Sequence, residues 1–409
     1  MANKLSRRKF LLTSGAVASG VSLGLSGLPH TGQVLGANDS INVGLIGTGG
    51  RGNWLNKLVK NVPQMDVVAC CDVLPFRLDE GLSLAADKAK GYEDYRKMLD
   101  NKDIDAVIIA TPLSLHSQMA MDALDAGKNV YCEKTMTYDI DQAKALTKKV
   151  KNSNQVFQVG YQHRYNELYN RIHDIINEGH MGELTHITCT WNRNGDWRRN
   201  VPDPKLERLI NWRMYLEYSG GLMAELSSHQ LDIVGYLLGA HPLQVTGFGG
   251  IDYWKDGRET YDNVYTVFQY PNGIKADYNS ITTNSYEGFS MKFYGTKASL
   301  IVKSEQGHHA YIYVEPTLLR EMKETDGVSG ATMKSWERGE PLEITVKNQA
   351  DGDEGPTTAA LTHWAKCMRE GDDVIANVDF GRQGAISVHM ANMAMRNGTI
   401  EKWKDEYNV

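Results

Sequence analysis

Apolar residues fall into two kinds of run along this chain. Between residues 38 and 160, short continuous apolar runs alternate with stretches whose apolar positions recur at helical spacing. Ile41-Asn42-Val43-Gly44-Leu45-Ile46, Met65-Asp66-Val67-Val68-Ala69-Cys70-Cys71, Ala106-Val107-Ile108-Ile109-Ala110, Asn129-Val130-Tyr131-Cys132 and Gln155-Val156-Phe157-Gln158-Val159 read as strands buried on both faces. The stretches between them predict helices from Asn53 onward and over 77–90, 95–99, 114–126 and 140–151; Gly127 is a C-terminal cap signal. Strand and helix in alternation predict a doubly wound parallel sheet, whose ligands lie beyond the carboxyl ends of the strands. From 161 to 409 the pattern changes. Strands over 184–191, 243–249, 263–270, 274–281, 289–294, 299–302 and 310–314, with a hairpin turn at Pro271-Asn272-Gly273, predict a large open, mostly antiparallel sheet in an α+β domain. Residues 323–355 are polar and read as loops, and two helices within about 357–396 follow.

Composition changes this picture little. At 41% hydrophobic and 23% charged the chain is ordinary globular protein, and its length of 409 suits two large domains and a leader. Charge changes it more. The formal net charge is −6, from 44 bases and 50 acids, which excludes a surface built to neutralise phosphates along nucleic acid. Residues 1–37 hold Lys4, Arg7, Arg8 and Lys9 and no acid; without those four, 40 bases face 50 acids, a net of −10. Arg7-Arg8-Lys9-Phe10-Leu11-Leu12 precedes a mildly apolar run rich in Gly and Ser, and Leu35-Gly36-Ala37 offers a small-residue cleavage site. This resembles a twin-arginine export signal and places the mature protein, from about Asn38, in the periplasm. The run is too interrupted for a membrane span. Five cysteines, Cys70, Cys71, Cys132, Cys189 and Cys367, show no disulfide or zinc spacing and read as small buried hydrophobes.

The first strand runs straight into Gly47-Thr48-Gly49-Gly50-Arg51-Gly52 and then a helix. In such a G-x-G-x-x-G turn the first glycine permits the tight turn, the second lets backbone approach a pyrophosphate, and the third lets helix pack on strand. The helix N-terminus adds free N–H groups for the phosphates. The second strand ends in Asp72, twenty residues after Gly52, at the spacing expected of a ribose ligand. Its charge opposes a 2′-phosphate, so NAD is favoured over NADP. Residues 38–160 thus read as a Rossmann domain, with Thr48, Gly50 and Arg51 joining the cofactor loop. Thr111, Glu133, Lys134 and Tyr161 also fall just past strand ends.

Five further segments carry a family resemblance. Ala110-Thr111-Pro112 with His116, Glu133-Lys134-Thr135, and Val159-Gly160-Tyr161-Gln162-His163-Arg164-Tyr165 resemble the Gfo/Idh/MocA oxidoreductase family, the glucose–fructose oxidoreductase and inositol dehydrogenase type. So do Gly220-Gly221-Leu222-Met223-Ala224-Glu225-Leu226-Ser227-Ser228-His229-Gln230-Leu231-Asp232, and Phe293-Tyr294-Gly295-Thr296-Lys297-Ala298-Ser299-Leu300. The resemblance covers almost the whole mature chain. It implies that Lys134 lies near the nicotinamide and the substrate hydroxyl, that Thr111, Pro112, His116 and Glu133 help hold the cofactor, and that His229 does acid–base work. Thr135 stands where the family has Pro, and Glu225 where it commonly has Asp. Glu225 and His229, four residues apart, share one face of a helix. The resemblance also implies a homo-oligomer formed on the outer sheet face, and C-terminal helices that return to the first domain.

Alcohol oxidation needs a hydride acceptor, a base for the hydroxyl proton and surroundings that tolerate the charge change. The cofactor is the first; His229 and Lys134 are candidates for the second, with Glu225 orienting His229 or binding a sugar hydroxyl. No ligand spacing calls for a metal. Aromatic and Arg residues gather at 161–216, including Trp191, Arg193, Trp197 and Arg198. They suit sugar rings, and equally a packed sheet edge or an oligomer face. Tyr161, His163, Arg164, Trp212, Arg213 and Asp232 are the substrate candidates. Three functions compete: an exported NAD-dependent sugar or polyol oxidoreductase that keeps its cofactor, a glycoside hydrolase using NAD transiently with Tyr161 as an extra base, and a non-catalytic NAD-binding scaffold.

Overall fold

The computed structural model describes residues 40–304, 308–316, 339–346 and 354–409. The export reading of 1–37 and most of the loop reading of 323–355 lie outside them. Among the described residues the first sheet has six strands, β1 (Ile41–Ile46), β2 (Met65–Cys71), β3 (Lys90–Tyr92), β4 (Ala106–Ile109), β5 (Asn129–Cys132) and β6 (Phe157–Val159). Their order is β3-β2-β1-β4-β5-β6 and every pairing is parallel. The order reverses direction between β1 and β4, which opens the crevice where such sheets bind ligands.

Helix Pro75–Leu84 is shorter than its periodicity predicts. Pro75 starts it, since a first-turn N–H needs no partner. After Leu84 the chain leaves the helix: Ala86 N–H donates to Val67 O (3.0 Å), and Lys90–Tyr92 adds as an edge strand to β2. Hydrogen bonding to the sheet edge wins over continued helix.

Nine strands build the second sheet among the described residues: β7 (Leu184–Trp191), β8 (Gln244–Gly250), β9 (Asn263–Gln269), β10 (Lys275–Ile281), β11 (Phe289–Gly295), β12 (Ala298–Val302), β13 (His309–Val314), β14 (Leu342–Thr345) and β15 (Glu401–Lys402). All pairings but β7 with β10 are antiparallel. Asn272 and Gly273 take positive φ (60° and 78°) in the β9–β10 turn, as the Pro-Asn-Gly signal predicts. β14 corrects the loop reading: Leu342 pairs with Ile312 and Ile344 with Ala310, so these two apolar residues share one face of a strand.

Two C-terminal helices, Glu354–Glu370 and Val378–Asn397, tie the layers together. Leu361, Trp364, Ala365 and Met368 join Ile41, Val43 and Tyr131 in the core on one face of the first sheet, with Trp364 edge-on to Tyr131 at 5.6 Å. The core on the other face runs without interruption from Ile109 and Val130 to Met291 and Phe293 of the second sheet. One apolar core therefore spans both sheets. All five cysteines are buried and unbridged; burial pushes the Cys70 and Cys367 thiols up to about 12. No helix among the described residues is long and apolar enough to cross a membrane.

A buried charge pair lies in this layer. Arg164 and Asp232 form an ion pair at 2.8 Å with both side chains 2% exposed, and Phe380 caps the guanidinium at 3.7 Å. Burial raises the Asp232 carboxyl, an effect that Arg164 only partly offsets. Removing one member leaves an unpaired buried charge. Asp232→Ala is expected to lose about 3–5 kcal/mol of stability, and Arg164→Met with Asp232→Leu to lose much less. Denaturant unfolding of the three proteins checks this; equal losses in the single and double variants would refute it.

Candidate active site

The site starts at the glycine turn. Gly47 has φ 89°, and a Cβ on Gly52 would stand 1.8 Å from Gly47 O, so only glycine lets the helix Gly50–Val59 leave the strand at this angle. That helix begins with no side-chain cap and no acid in its first turn, so its N–H groups and positive end stay available to an anion. Thr48 faces inward: its N–H donates to Asp72 Oδ2 (2.9 Å) and its hydroxyl to Arg77 O (2.8 Å). Thr48 thus braces the turn against the end of β2. Leu74 N–H donates to Asp72 Oδ1 (2.9 Å), and the carboxylate keeps acceptor capacity for ribose hydroxyls.

A cleft of about 390 Å³ opens from this turn to the second domain. Gly47, Gly49, Gly50, Arg51, Asp72, Thr111, Pro112, His116, Glu133 and Lys134 line it from the first domain. Trp212, Arg213, Glu225 and His229 line it from the second. The glycine cradle, the open helix end and the acid at the β2 terminus share this one volume, so the residues fit a dinucleotide.

At the floor, Lys134 Nζ donates to Ala224 O (3.2 Å) and Glu225 O (3.1 Å). Burial lowers its pKa; Glu225 and Glu133 oppose the shift, while Arg213 and Arg51 add to it. The Lys134–Thr135 peptide is cis. Thr135 also donates its hydroxyl to Ala224 O (3.2 Å), a bond that the proline of the family pattern has no group to make. Glu133 accepts from Arg51 Nε at 2.8 Å, and that guanidinium lies over Trp54. His116 spans the carbonyls of Thr135 (2.9 Å) and Thr111 (3.0 Å). Burial holds it neutral, so it donates to one carbonyl at a time and braces the two strand-end loops beside the cofactor volume.

Glu225 and His229 do not lie on one regular α-helix. Met223–Ser227 forms a π-helical turn, with His229 in the first turn of the following helix Ser228–Leu238. Both still reach the cleft, but Glu225 pairs with Arg213 (2.6 Å) instead of His229. Burial raises the Glu225 carboxyl, yet Arg213 and Lys134 outweigh it and hold it ionised below its usual range. Arg213 also stacks on Trp212 at 4.2 Å. His229 is pushed far below its ordinary pKa, first by burial and then by Lys134, His163 and Arg51. Its ring lies 5.0 Å from His163 and 5.8 Å from Trp191, and its Nδ1 has no hydrogen-bond partner among the described residues.

Four substrate candidates fall outside the cleft lining. Arg164 and Asp232 are consumed by their own ion pair. His163 stacks on Tyr169 behind His229. Tyr161 is 1% exposed, its hydroxyl has no partner among the described residues, and a Cβ on Gly384 would meet that hydroxyl at 2.2 Å. Burial pushes its pKa far up, which removes it as a base. In exchange the structure brings in Arg77, Gln162 and Arg199. Arg77 follows Asp72 by five residues and was within reach of the strand-end rule; Arg199 lies on an aperiodic loop and left no sequence signal. Among the described residues no group of three His, Cys, Asp or Glu is placed to hold a metal ion.

The oxidoreductase family with NAD-binding Rossmann fold matches residues 41–161, and the GFO/IDH/MocA C-terminal domain matches 169–301. The chain belongs to the Gfo/Idh/MocA family and is an NAD-dependent oxidoreductase. It is similar to scyllo-inositol 2-dehydrogenase (NAD(+)) of Bacillus subtilis, 28% identical over 276 residues, 66% of this chain and 76% of that one. It is also similar to levoglucosan dehydrogenase of Pseudarthrobacter phenanthrenivorans, 28% identical over 301 residues, 65% and 74%. A solved levoglucosan dehydrogenase with NADH and levoglucosan shares the fold at TM-score 0.73 and 19% identity, covering 89% of this chain and 99% of that one.

If Gly52 is needed for the close approach, Gly52→Ala will keep the circular dichroism spectrum of the folded protein and lose at least ~10-fold in NAD+ affinity. Calorimetric titration measures it; wild-type affinity would show that the turn yields freely.

Proposed function

We propose that this protein oxidises a secondary hydroxyl of a sugar or polyol, with Lys134 as the base. One observation carries the assignment. Lys134 Nζ is held by two carbonyl acceptors on the domain boundary, inside the cleft that the glycine turn opens into. A neutral amine has two N–H bonds and one lone pair. Ala224 O and Glu225 O take the two hydrogens, leaving the lone pair for the hydroxyl proton of a substrate. The depressed pKa makes the neutral form accessible, and the enclosing burial keeps bulk water from competing. The bound dinucleotide supplies the hydride acceptor.

His229, the base favoured on sequence grounds, takes second place here. An imidazole so far depressed stays neutral and binds protons poorly, so it hydrogen-bonds a substrate hydroxyl and leaves the proton to Lys134. Glu225, ionised and clamped by Arg213, offers acceptor oxygens to neighbouring hydroxyls, and Trp212 offers an apolar face to a ring. The substrate classes named for the inositol and levoglucosan dehydrogenases above support a polyol or pyranose in this space. The buried Tyr161 weighs against the glycoside hydrolase reading, which asked it to act as a base.

The proposal extends to location and assembly. The basic, acid-free residues 1–37 support export by the twin-arginine route with the cofactor already bound, and retention of that cofactor outside the cytoplasm. Phe248 (85% exposed) and Tyr265 (54% exposed), paired across β8 and β9, support a homo-oligomer on the outer sheet face.

Incubation with NAD+ and a panel of pyranosides and cyclitols is expected to yield keto products with matching NADH or bound reduced cofactor, and no free aglycone. Aglycone release without net reduction would overturn the oxidoreductase reading. Lys134→Ala is expected to lower kcat by about 10²–10⁴ while NAD+ still binds. Activity of the wild type should rise with pH as Lys134 loses its proton, through an apparent pKa below the ordinary lysine value of about 10.4. A profile that is flat from pH 6 to 10, or that survives in Lys134→Ala, would remove Lys134 as the base.

A further inference from the structure

Two arginines at the cleft have no job in the chemistry above. A Cβ on Gly49 would stand 3.5 Å from Nη1 of Arg77, and one on Gly50 would stand 3.4 Å from Nη1 of Arg199. Both guanidinium groups therefore lie over the open N-terminus of the helix Gly50–Val59. Neither guanidinium has a carboxylate partner or a side-chain hydrogen bond among the described residues, whereas Arg51, Arg213 and Arg208 around the same cleft are each paired with an acid. Cations crowded with a helix N-terminus repel one another. Burial lowers the Arg199 pKa, and the charges of Arg213 and Arg77 lower it further. A dianionic group between them would relieve all of these repulsions at once.

Arg77 belongs to the first domain and Arg199 to the second. The Arg199 backbone is locked on both sides by the buried Asn211: its N–H donates to Asn211 Oδ1 (2.7 Å), and its carbonyl accepts from Asn211 Nδ2 (3.1 Å). The neighbouring Arg198 is tied down by Glu207 and by Asp256 (3.1 Å). The loop that delivers Arg199 is thus built in advance and does not need to order on binding.

We propose that Arg199 is a positioning residue that reaches from the second domain to the diphosphate of the bound dinucleotide and, with Arg77, clamps it so that release is slow. This rests on the NAD-binding reading of the glycine turn and deepens it. It gives cofactor retention a physical cause: a cofactor held by one domain leaves when that domain's contacts break, whereas this one must break contacts with both.

The test uses the full folded protein and ligands with and without the diphosphate. Arg199→Gln is expected to weaken NAD+ and ADP-ribose binding about 10- to 100-fold, the worth of one charge-assisted hydrogen bond, and to speed NADH release by a similar factor in a stopped-flow chase. Adenosine, which lacks the diphosphate, should change less than about 3-fold, and Arg199→Lys should recover part of the loss. Melting without ligand verifies folding, and Arg77→Gln carries the same comparison if Arg199→Gln does not fold. Unchanged ADP-ribose affinity and NADH release in the folded variant would overturn the clamp and leave the cofactor assignment standing. Failure of the wild type to bind ADP-ribose would instead overturn the assignment itself.

Discussion

The amine of Lys134 held by the carbonyls of Ala224 and Glu225 is the contact on which the rest of this site depends. It joins the end of β5 in one domain to a π-helical turn in the other. A π turn departs from the regular helical ladder, and such turns recur at functional sites. Here the carbonyls of Ala224 and Glu225 accept from a lysine, and the lysine in turn ties the two domains together at the floor of the cleft. The continuous apolar core behind it makes this junction rigid, because moving one domain would expose packed side chains from both sheets.

Charge is arranged in layers around that contact. Arg51–Glu133 and Arg213–Glu225 flank the lysine, and each acid is answered by an arginine, so its own field on Lys134 is tempered. The result is a lysine whose neutral form is favoured by burial while carboxylates remain nearby to bind hydroxyls. Arg164 and Asp232, although equally charged, do nothing of this kind. They lie deeper, satisfy one another, and anchor the helix that carries His229 to the C-terminal helix through Phe380. Partner geometry separates working charges from structural ones, and residue type alone does not.

Sequence reasoning went far with the first domain. Apolar runs, a glycine turn and a following acid are local signals, and the parallel sheet that they imply is observed. Some candidate site residues face away from the cleft, and the reasons are physical. Thr48 looked like a ligand because it lies between two glycines, yet its backbone points to Asp72. Tyr161, His163, Arg164 and Asp232 looked like substrate contacts because they border strand ends and the His229 helix; each turns instead toward a buried neighbour. Arg199 could not be found, since an aperiodic loop has no phase from which to infer its direction.

The family resemblance singled out Lys134 and His229; the chain pattern by itself determined the doubly wound sheet, the dinucleotide turn and the mostly antiparallel second sheet. These follow from spacing along the chain, where sterics and burial act over a few residues. Tertiary structure alone decided which polar groups line the cleft, which arginines lack an acidic partner, and which polar residues merely pack. Those outcomes hang on desolvation and on partners far away in sequence, such as the 90 residues between Lys134 and Ala224, and a one-dimensional pattern contains neither.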